Sequence, residues 1–298
     1  LDYLLLLKMA LPLYGLSLLL LAAVLVVGTA SHGQKRWIYI GSIGFQPSEF
    51  AKFVLIIFLA SICGAAGSMM KKWKGILLVF LWMMPVAGMV MVTNLSTGII
   101  IMGIAFIIIF TASRQWLPFF VLMGLGGGFM GIFLKLASYR VGRIEAWLNV
   151  ETHPKGYQTR QSLYAIGSGG LFGRGYGKSI QKLAYIPEAH NDMIFSVICE
   201  EWGLLGAGII AALFIFLIWR CLITANSAPD IPGALLTMGV TAHLGLQMLI
   251  NIAVVTNSIP NTGIPLPFIS YGGTSLIFLM CEIGIVQNIA QQGKTYIS

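Results

Sequence analysis

The stretch IPEAHNDMIFSVICEEWGLLGAG, Ile186 to Gly208, joins two unlike halves. The second half is apolar and runs on into a segment of membrane-spanning character. The first half carries Glu188, His190 and Asp192 at its mouth. Pro187 stops helix upstream, so the spacing predicts a helix from Met193 with Asp192 at its N-cap position. Two readings of Asp192 stay open here. It caps the helix, or it stands beside Glu188 and His190, with Arg174, Lys178 and Lys182 upstream, as a carboxylate able to act as a general base. Ser196 and Glu200 follow on the same helical face. Glu200 lies ~12 Å further along the axis, too deep to share chemistry with Asp192. Glu200 and Glu201 therefore read as residues that organise the bundle, paired with Arg or Lys or protonated.

Outward from this stretch the chain stays oily. Of 298 residues, 57% are hydrophobic and 9% charged, where a soluble domain carries about 25% charged residues. The mean hydropathy of +0.87 excludes an ordinary soluble domain. Apolar runs of the length needed to cross ~30 Å of hydrocarbon fall at 9–28, 49–67, 75–93, 98–112, 115–137, 195–220, 232–256 and 270–290. The predicted fold is all-α: a polytopic membrane helix bundle of about eight transmembrane helices, a single integral membrane domain over 1–298. No internal repeat is visible. One long polar segment, 138–192, interrupts the spans. The chain opens at Leu1 without the pattern of a signal peptide and reads as N-terminally truncated.

Cys63, Cys199, Cys221 and Cys281 are scattered in or beside apolar runs and read as small buried hydrophobes. His32, His153, His190 and His243 show no metal-ligand spacing. No cofactor is evident. Mg²⁺ or Mn²⁺ is compatible with the chemistry considered below, but no acidic cluster in the sequence supplies a site.

The basic residues give an orientation. Lys71, Lys72 and Lys74 in a short loop, with Arg114, Arg220 and Lys294, favour a cytoplasmic Leu1 and C-terminus. Lys35, Arg36 and the many cations of 138–192 then face outside, against simple counting, although long segments translocate with less regard for charge. The net charge of +8 places a basic loop above the bundle, attractive to anionic headgroups or to an anionic, lipid-linked substrate.

Four polar clusters fall on that face. In GQKRWIYIGSIGFQPSEFAK (33–52), Arg36 and Trp37 suit the membrane interface. Pro47-Ser48-Glu49 there predicts a helix start capped by Ser48, with Lys52 on the same side as Glu49. VTNLSTG (92–98) reads as a structural turn. In 143–192, GSGGLFGRGYGK offers backbone amides that approach phosphate closely, interleaved with Arg174 and Lys178. NSIPNTGIPLPFISYGGTSL (257–276) is broken by Pro260, Pro265, Pro267 and Gly272-Gly273. Irregular backbone at membrane depth survives only where protein buries it or it lines a cavity, so this segment is expected to be re-entrant or cavity-lining.

QPSEFAK (46–52), QSLYAIGSGGLFGRGYG (161–177), PEAHNDMIFSVICEEWGLLG (187–206) and TGIPLPFISYGGTSL (262–276) together resemble the SEDS family of cell-wall polymerases, named for shape, elongation, division and sporulation. The likeness runs from about Gly33 to the end. It implies ten family helices, of which the eight here match the third to the tenth. It implies a peptidoglycan glycosyltransferase that polymerises lipid II, the undecaprenyl-pyrophosphate-linked disaccharide-peptide, at the outer face of the bacterial cytoplasmic membrane. It also implies a class B penicillin-binding protein as partner, and no nucleic acid. The family's essential aspartate lands on Asp192, with the role of deprotonating the acceptor 4-hydroxyl. Arg36, Arg143, Arg174, Lys178 and the glycine turn at Gly169 and Gly170 are then candidates to hold the departing pyrophosphate. Trp37, Glu49, Lys52, Glu188, His190 and Ser270 complete the expected substrate-binding set. Asn94 departs from the acidic residue usual in its loop, and Trp202 from the usual Leu. PEAHND looks closer to the FtsW-like than the RodA-like members.

Three other readings compete: a flippase for lipid-linked precursor, a scaffold for a partner polymerase, and a channel. A flippase needs polar residues along a path through the bilayer. Here they gather on one face, with Glu200, Glu201, His243, Gln247 and Glu282 as exceptions.

Overall fold

The computed structural model describes residues 2–31, 34–41, 43–113 and 138–295, with isolated positions (115, 116, 120, 121, 124, 127 and 128) between. The chain enters through α1 (Tyr3–Lys8) and α2 (Ala10–Val27). A small antiparallel meander follows, β1 (Thr29–Ser31), β2 (Gln34–Ile40) and β3 (Ile43–Phe45), in the order β1-β2-β3. Then come α3 (Pro47–Ala66), α4 (Trp73–Thr93) and α5 (Leu95–Ser113). The long polar segment holds α6 (Ser138–Leu148), α7 (Tyr157–Gly169) and the short α8 (Gln181–Ala184). The chain ends with α9 (Ile194–Asn226), α10 (Ile231–Val255) and α11 (Gly273–Thr295).

Among the described residues seven helices are long and apolar enough to cross a membrane: Ala10–Val27, Pro47–Lys71, Trp73–Thr93, Leu95–Ser113, Ile194–Asn226, Ile231–Val255 and Gly273–Gly293. They match seven of the expected runs. The eighth, 115–137, lies almost wholly outside the described residues. The meander holds the cluster read as interfacial around Arg36: Trp37 and Tyr39 alternate onto one face of β2, ring centroids 6.4 Å apart. α3 begins at Pro47, whose fixed φ and missing N–H suit the first helical position. The N-cap is Gln46, not Ser48 as expected.

The chain forms two compact units: residues 1–119, 218–246 and 273–298, and residues 120–217 and 247–272. In the first, small residues let helices approach closely, as they must where lipid gives no hydrophobic drive to pack. A Cβ on Gly239 of α10 would sit 2.6 Å from Ile56 of α3 and 2.8 Å from Ile108 of α5. One on Gly64 of α3 would meet Pro232 at 2.6 Å. The N-terminus is fastened by Tyr3, which donates from its hydroxyl to Asp230 at 2.9 Å and from its amide to Asn288 at 3.0 Å.

The second unit is less regular. α6 and α7 are joined to the end of α10 and the chain just past it: Trp147 Nε1 donates to the Asn257 carbonyl at 2.9 Å, and Ser162 Oγ to the Val255 carbonyl at 3.0 Å. No helix or strand forms between Val255 and Gly273, as the prolines require.

Candidate active site

Asp192 stands at the end of the turn 186–193. Glu188 adopts φ +55°, the left-handed region that lets the chain double back. The Asn191 amide then donates to the Glu188 carbonyl at 2.9 Å. Three consecutive carbonyls of this turn are gripped from elsewhere in the same unit. The Tyr271 amide donates to His190 O at 2.9 Å. Ser270 Oγ donates to Asn191 O at 2.5 Å and accepts from the Leu266 amide at 2.7 Å. Asn251 Nδ2 donates to Asp192 O at 2.7 Å and to Ile264 O at 2.8 Å. Gln247, one turn earlier on α10, donates to Pro265 O at 3.0 Å. The broken segment 256–272 and α10 thus lock the main chain that carries Asp192. The Asp192 side chain is half-buried, and its Oδ1 accepts from Gln158 Nε2 at 3.4 Å. α9 begins at Ile194, which gives the N-cap position to Met193 and leaves Asp192 one residue outside it.

The glycine-rich loop has a different task from the one expected. α9 is broken at Gly203, φ +69°, so the run read as one helix over 195–220 is two pieces. Chain 169–175 lies against that break. The Arg174 amide donates to Glu200 O at 2.9 Å and the Gly175 amide to Glu201 O at 2.9 Å. The Leu204 amide returns a bond to Gly170 O at 2.9 Å. Only glycine fits this seam: a Cβ on Gly173 would lie 2.1 Å from Glu201 O, and one on Gly169 1.9 Å from Cys199 O. The two glutamates then close the loop. Glu200, fully buried, accepts from Ser179 Oγ at 2.5 Å, the Ile180 amide at 3.1 Å and the Gln181 amide at 3.3 Å. Arg174 Nη1 lies 3.7 Å from it. Glu201 accepts from the Gly177 amide at 3.0 Å, the Ser179 amide at 3.3 Å and Lys182 Nζ at 2.5 Å. Two expectations are corrected. The loop amides face the protein's own carboxylates and carbonyls rather than a phosphate, and Glu200 and Glu201 organise this loop rather than the helix bundle; their expected pairing with Arg or Lys holds, Glu200 with Arg174 and Glu201 with Lys182. Gly169 serves close backbone approach, and Gly170 supplies a left-handed turn at φ +55°.

The remaining expected site residues divide between the units. In the first unit, Arg36 Nε donates to the Thr93 carbonyl at 3.1 Å, at the negative end of α4. Glu49 and Lys52 form a buried ion pair at 2.9 Å. His243 Nδ1 meets Glu282 at 2.9 Å, both buried. In the second unit, Arg143 Nη1 donates to Asn261 O at 3.2 Å. Glu188 is exposed and bonded by Asn191. His190 is exposed and edge-on to Tyr271, ring centroids 5.9 Å apart. Lys178 is exposed. Among the described residues no group of three or more His, Cys, Asp or Glu gathers as metal ligands.

The structure adds Gln158, Asn251 and Asn261, which the sequence reading passed over. Asn251 had a signal: a fully buried amide in an apolar helix, one turn beyond Gln247, is a functional marker by default. Gln158 and Asn261 had none, since surface amides on polar segments are common.

A helical membrane protein whose carboxylate is set by a braced turn and a proline-broken segment is defined further by comparison. Residues 1–295 match the FtsW/RodA/SpoVE family of cell cycle proteins, and the chain belongs to that family. Among its relatives, stage V sporulation protein E of Bacillus subtilis is 39% identical over 289 residues, covering 93% of this chain and 77% of the relative. A probable peptidoglycan glycosyltransferase FtsW of Coxiella burnetii is 39% identical over 287 residues, covering 94% and 77%. Of solved structures, a chain from a peptidoglycan synthase complex aligns at TM-score 0.82 and 28% identity over 98% of this chain and 84% of that one. RodA, the rod shape determining protein of Thermus thermophilus, aligns at TM-score 0.70 and 30% identity, over 98% and 80%.

Proposed function

We propose that this protein is a peptidoglycan glycosyltransferase that polymerises lipid II at the outer face of the bacterial cytoplasmic membrane, with Asp192 as general base. The observation that carries the reading is the construction around Asp192. Three carbonyls in a row are held by side chains and amides from elsewhere in its unit, which fixes the main chain that carries the half-buried carboxylate. In the proposed step Asp192 takes the proton of the acceptor sugar's 4-hydroxyl. That oxygen forms the new bond to C1 of the donor chain. The bond from C1 to pyrophosphate oxygen breaks, and undecaprenyl pyrophosphate leaves with the electron pair. Cations of the outer segment, Arg143 and Lys178 first, stabilise the departing charge. The protein works beside a class B penicillin-binding protein, in line with the synthase complex to which its fold is similar.

The test is polymerisation of labelled lipid II by the purified protein in liposomes. Asp192→Asn keeps the shape and removes the base. Polymer is expected to vanish while the unfolding temperature stays at the wild-type value. Glycan chains of normal yield from Asp192→Asn would sink the assignment.

A further inference from the structure

We propose that Gln158, held by Asn261, is a positioning residue that fixes the Asp192 carboxylate for proton transfer. The proposal rests on Asp192 as the base, and the observation behind it is a run of amides that can point only one way. Gln158 Nε2 lies 3.0 Å from the Pro187 carbonyl oxygen. A carbonyl only accepts, so the NH₂ group of Gln158 must face that side. Asn261 Oδ1 lies 3.1 Å from the Gly263 backbone amide. That amide only donates, so the orientation of Asn261 is settled too. Its Nδ2 then donates to Gln158 Oε1 at 2.9 Å. The remaining N–H direction of Gln158 is toward Asp192 Oδ1, at 3.4 Å. Neither amide can turn over without losing a bond to backbone.

The ends of the run are anchored. Arg143 Nη1 holds the Asn261 carbonyl at 3.2 Å. Asn251, fully buried, holds the main-chain carbonyl of Asp192. The aspartate is therefore braced at its backbone by one amide and at its carboxylate by another. A 3.4 Å separation is long for a hydrogen bond, and catalytic bonds of this kind tighten when substrate closes the site. A donor that is already oriented needs no reorganisation at that moment, which is how fixed dipoles contribute to a transition state. This gives Gln158 a role that depends on its N–H and not merely on its bulk.

The experiment compares wild type, Asp192→Asn, Gln158→Leu, Gln158→Glu and Asn261→Asp in steady-state polymerisation of lipid II in liposomes, with unfolding temperatures alongside. Gln158→Leu is expected to lower kcat about ten- to a hundred-fold, with KM within about two-fold of wild type and unfolding temperature unchanged. Asn261→Asp opposes a carboxylate to Gln158 Oε1, turns the amide, and lowers kcat in the same way. If Gln158→Leu fails to fold, Gln158→Glu decides, since it keeps length and shape while removing the donor. Wild-type kcat in the Gln158 variants, or a raised KM with kcat kept, overturns the positioning role. The two readings fail separately: an active Asp192→Asn defeats the base, whereas an inactive Asp192→Asn with fully active Gln158 variants defeats only the positioning.

Discussion

Glu200 and Asp192 belong to the same unit and to neighbouring turns of chain, yet their carboxylates are treated in opposite ways. Glu200 is fully buried and takes two backbone amides, a serine hydroxyl and an arginine. Asp192 is half-buried and its carboxylate is reached by a side-chain amide, while its main chain is clamped. A carboxylate surrounded by amides of its own loop holds that loop and has little capacity left for a substrate. A carboxylate on a clamped main chain is fixed in place and still accessible. The difference teaches that burial and bonding, not the presence of acid near a membrane helix, separate the structural carboxylate from the one proposed as the base.

The sharpest way to break this contrast is Glu200→Ala. It strips a buried charge from Arg174 and leaves the Ile180 and Gln181 amides without their acceptor. A loss of about 3–5 kcal/mol is expected, read as a large drop in unfolding temperature in detergent. Asp192→Asn should show no such drop. Equal destabilisation by the two would erase the distinction. Next in size is Gly173→Ala. The position has φ +78° and its new Cβ would press on Glu201 O at 2.1 Å. Positive φ costs a non-glycine residue about 1–2 kcal/mol, and overpacking adds about 1–3 kcal/mol. The segment 169–180 should then become sensitive to limited proteolysis while the helices stay protected. Unchanged resistance would show that the seam is not what holds the loop.

The spans were legible because hydrocarbon thickness imposes a length and composition that no other constraint imitates. Seven predicted runs fall within a few residues of the observed helices, from Ala10–Val27 to Gly273–Gly293. The break at Gly203 was not legible. Its cause is the chain at 169–175, far away in sequence, and a single glycine in an apolar run gives no local warning. The same reason hid the roles of Glu200 and Glu201, whose partners lie across the loop at Gly177–Lys182. The meander at Thr29–Phe45 was missed because its strands are short and lie between polar residues that read as an interface. The local pattern offers Asp192 as a cap or a base; the helix start at Ile194 leaves it outside the cap position, and the family motifs point to the base. The bracing amides Gln158 and Asn261 are not legible in the sequence, since what makes them informative is the direction of each bond.

The smallest expected effect separates two cations that the sequence placed together. Arg174 and Lys178 flank the same glycines, and both were expected to hold pyrophosphate. Arg174 is already engaged, with Nε 3.4 Å from the Ser168 carbonyl and Nη1 3.7 Å from Glu200. Lys178 is exposed, and among the described residues no carboxylate lies within ion-pair distance of its Nζ. A surface cation without a partner contributes little to folding, yet its field reaches an incoming anion over about 10 Å at moderate salt. Lys178→Ala should leave the unfolding temperature unchanged and weaken lipid II binding about three- to ten-fold at low ionic strength, with the difference fading as salt is raised. Arg174→Ala should do the reverse, lowering stability through Glu200 before it touches affinity. If Lys178→Ala binds lipid II as wild type does at every salt concentration, the anion is held elsewhere, and Arg143, bonded at the Asn261 carbonyl beside the bracing amides, becomes the cation to replace next.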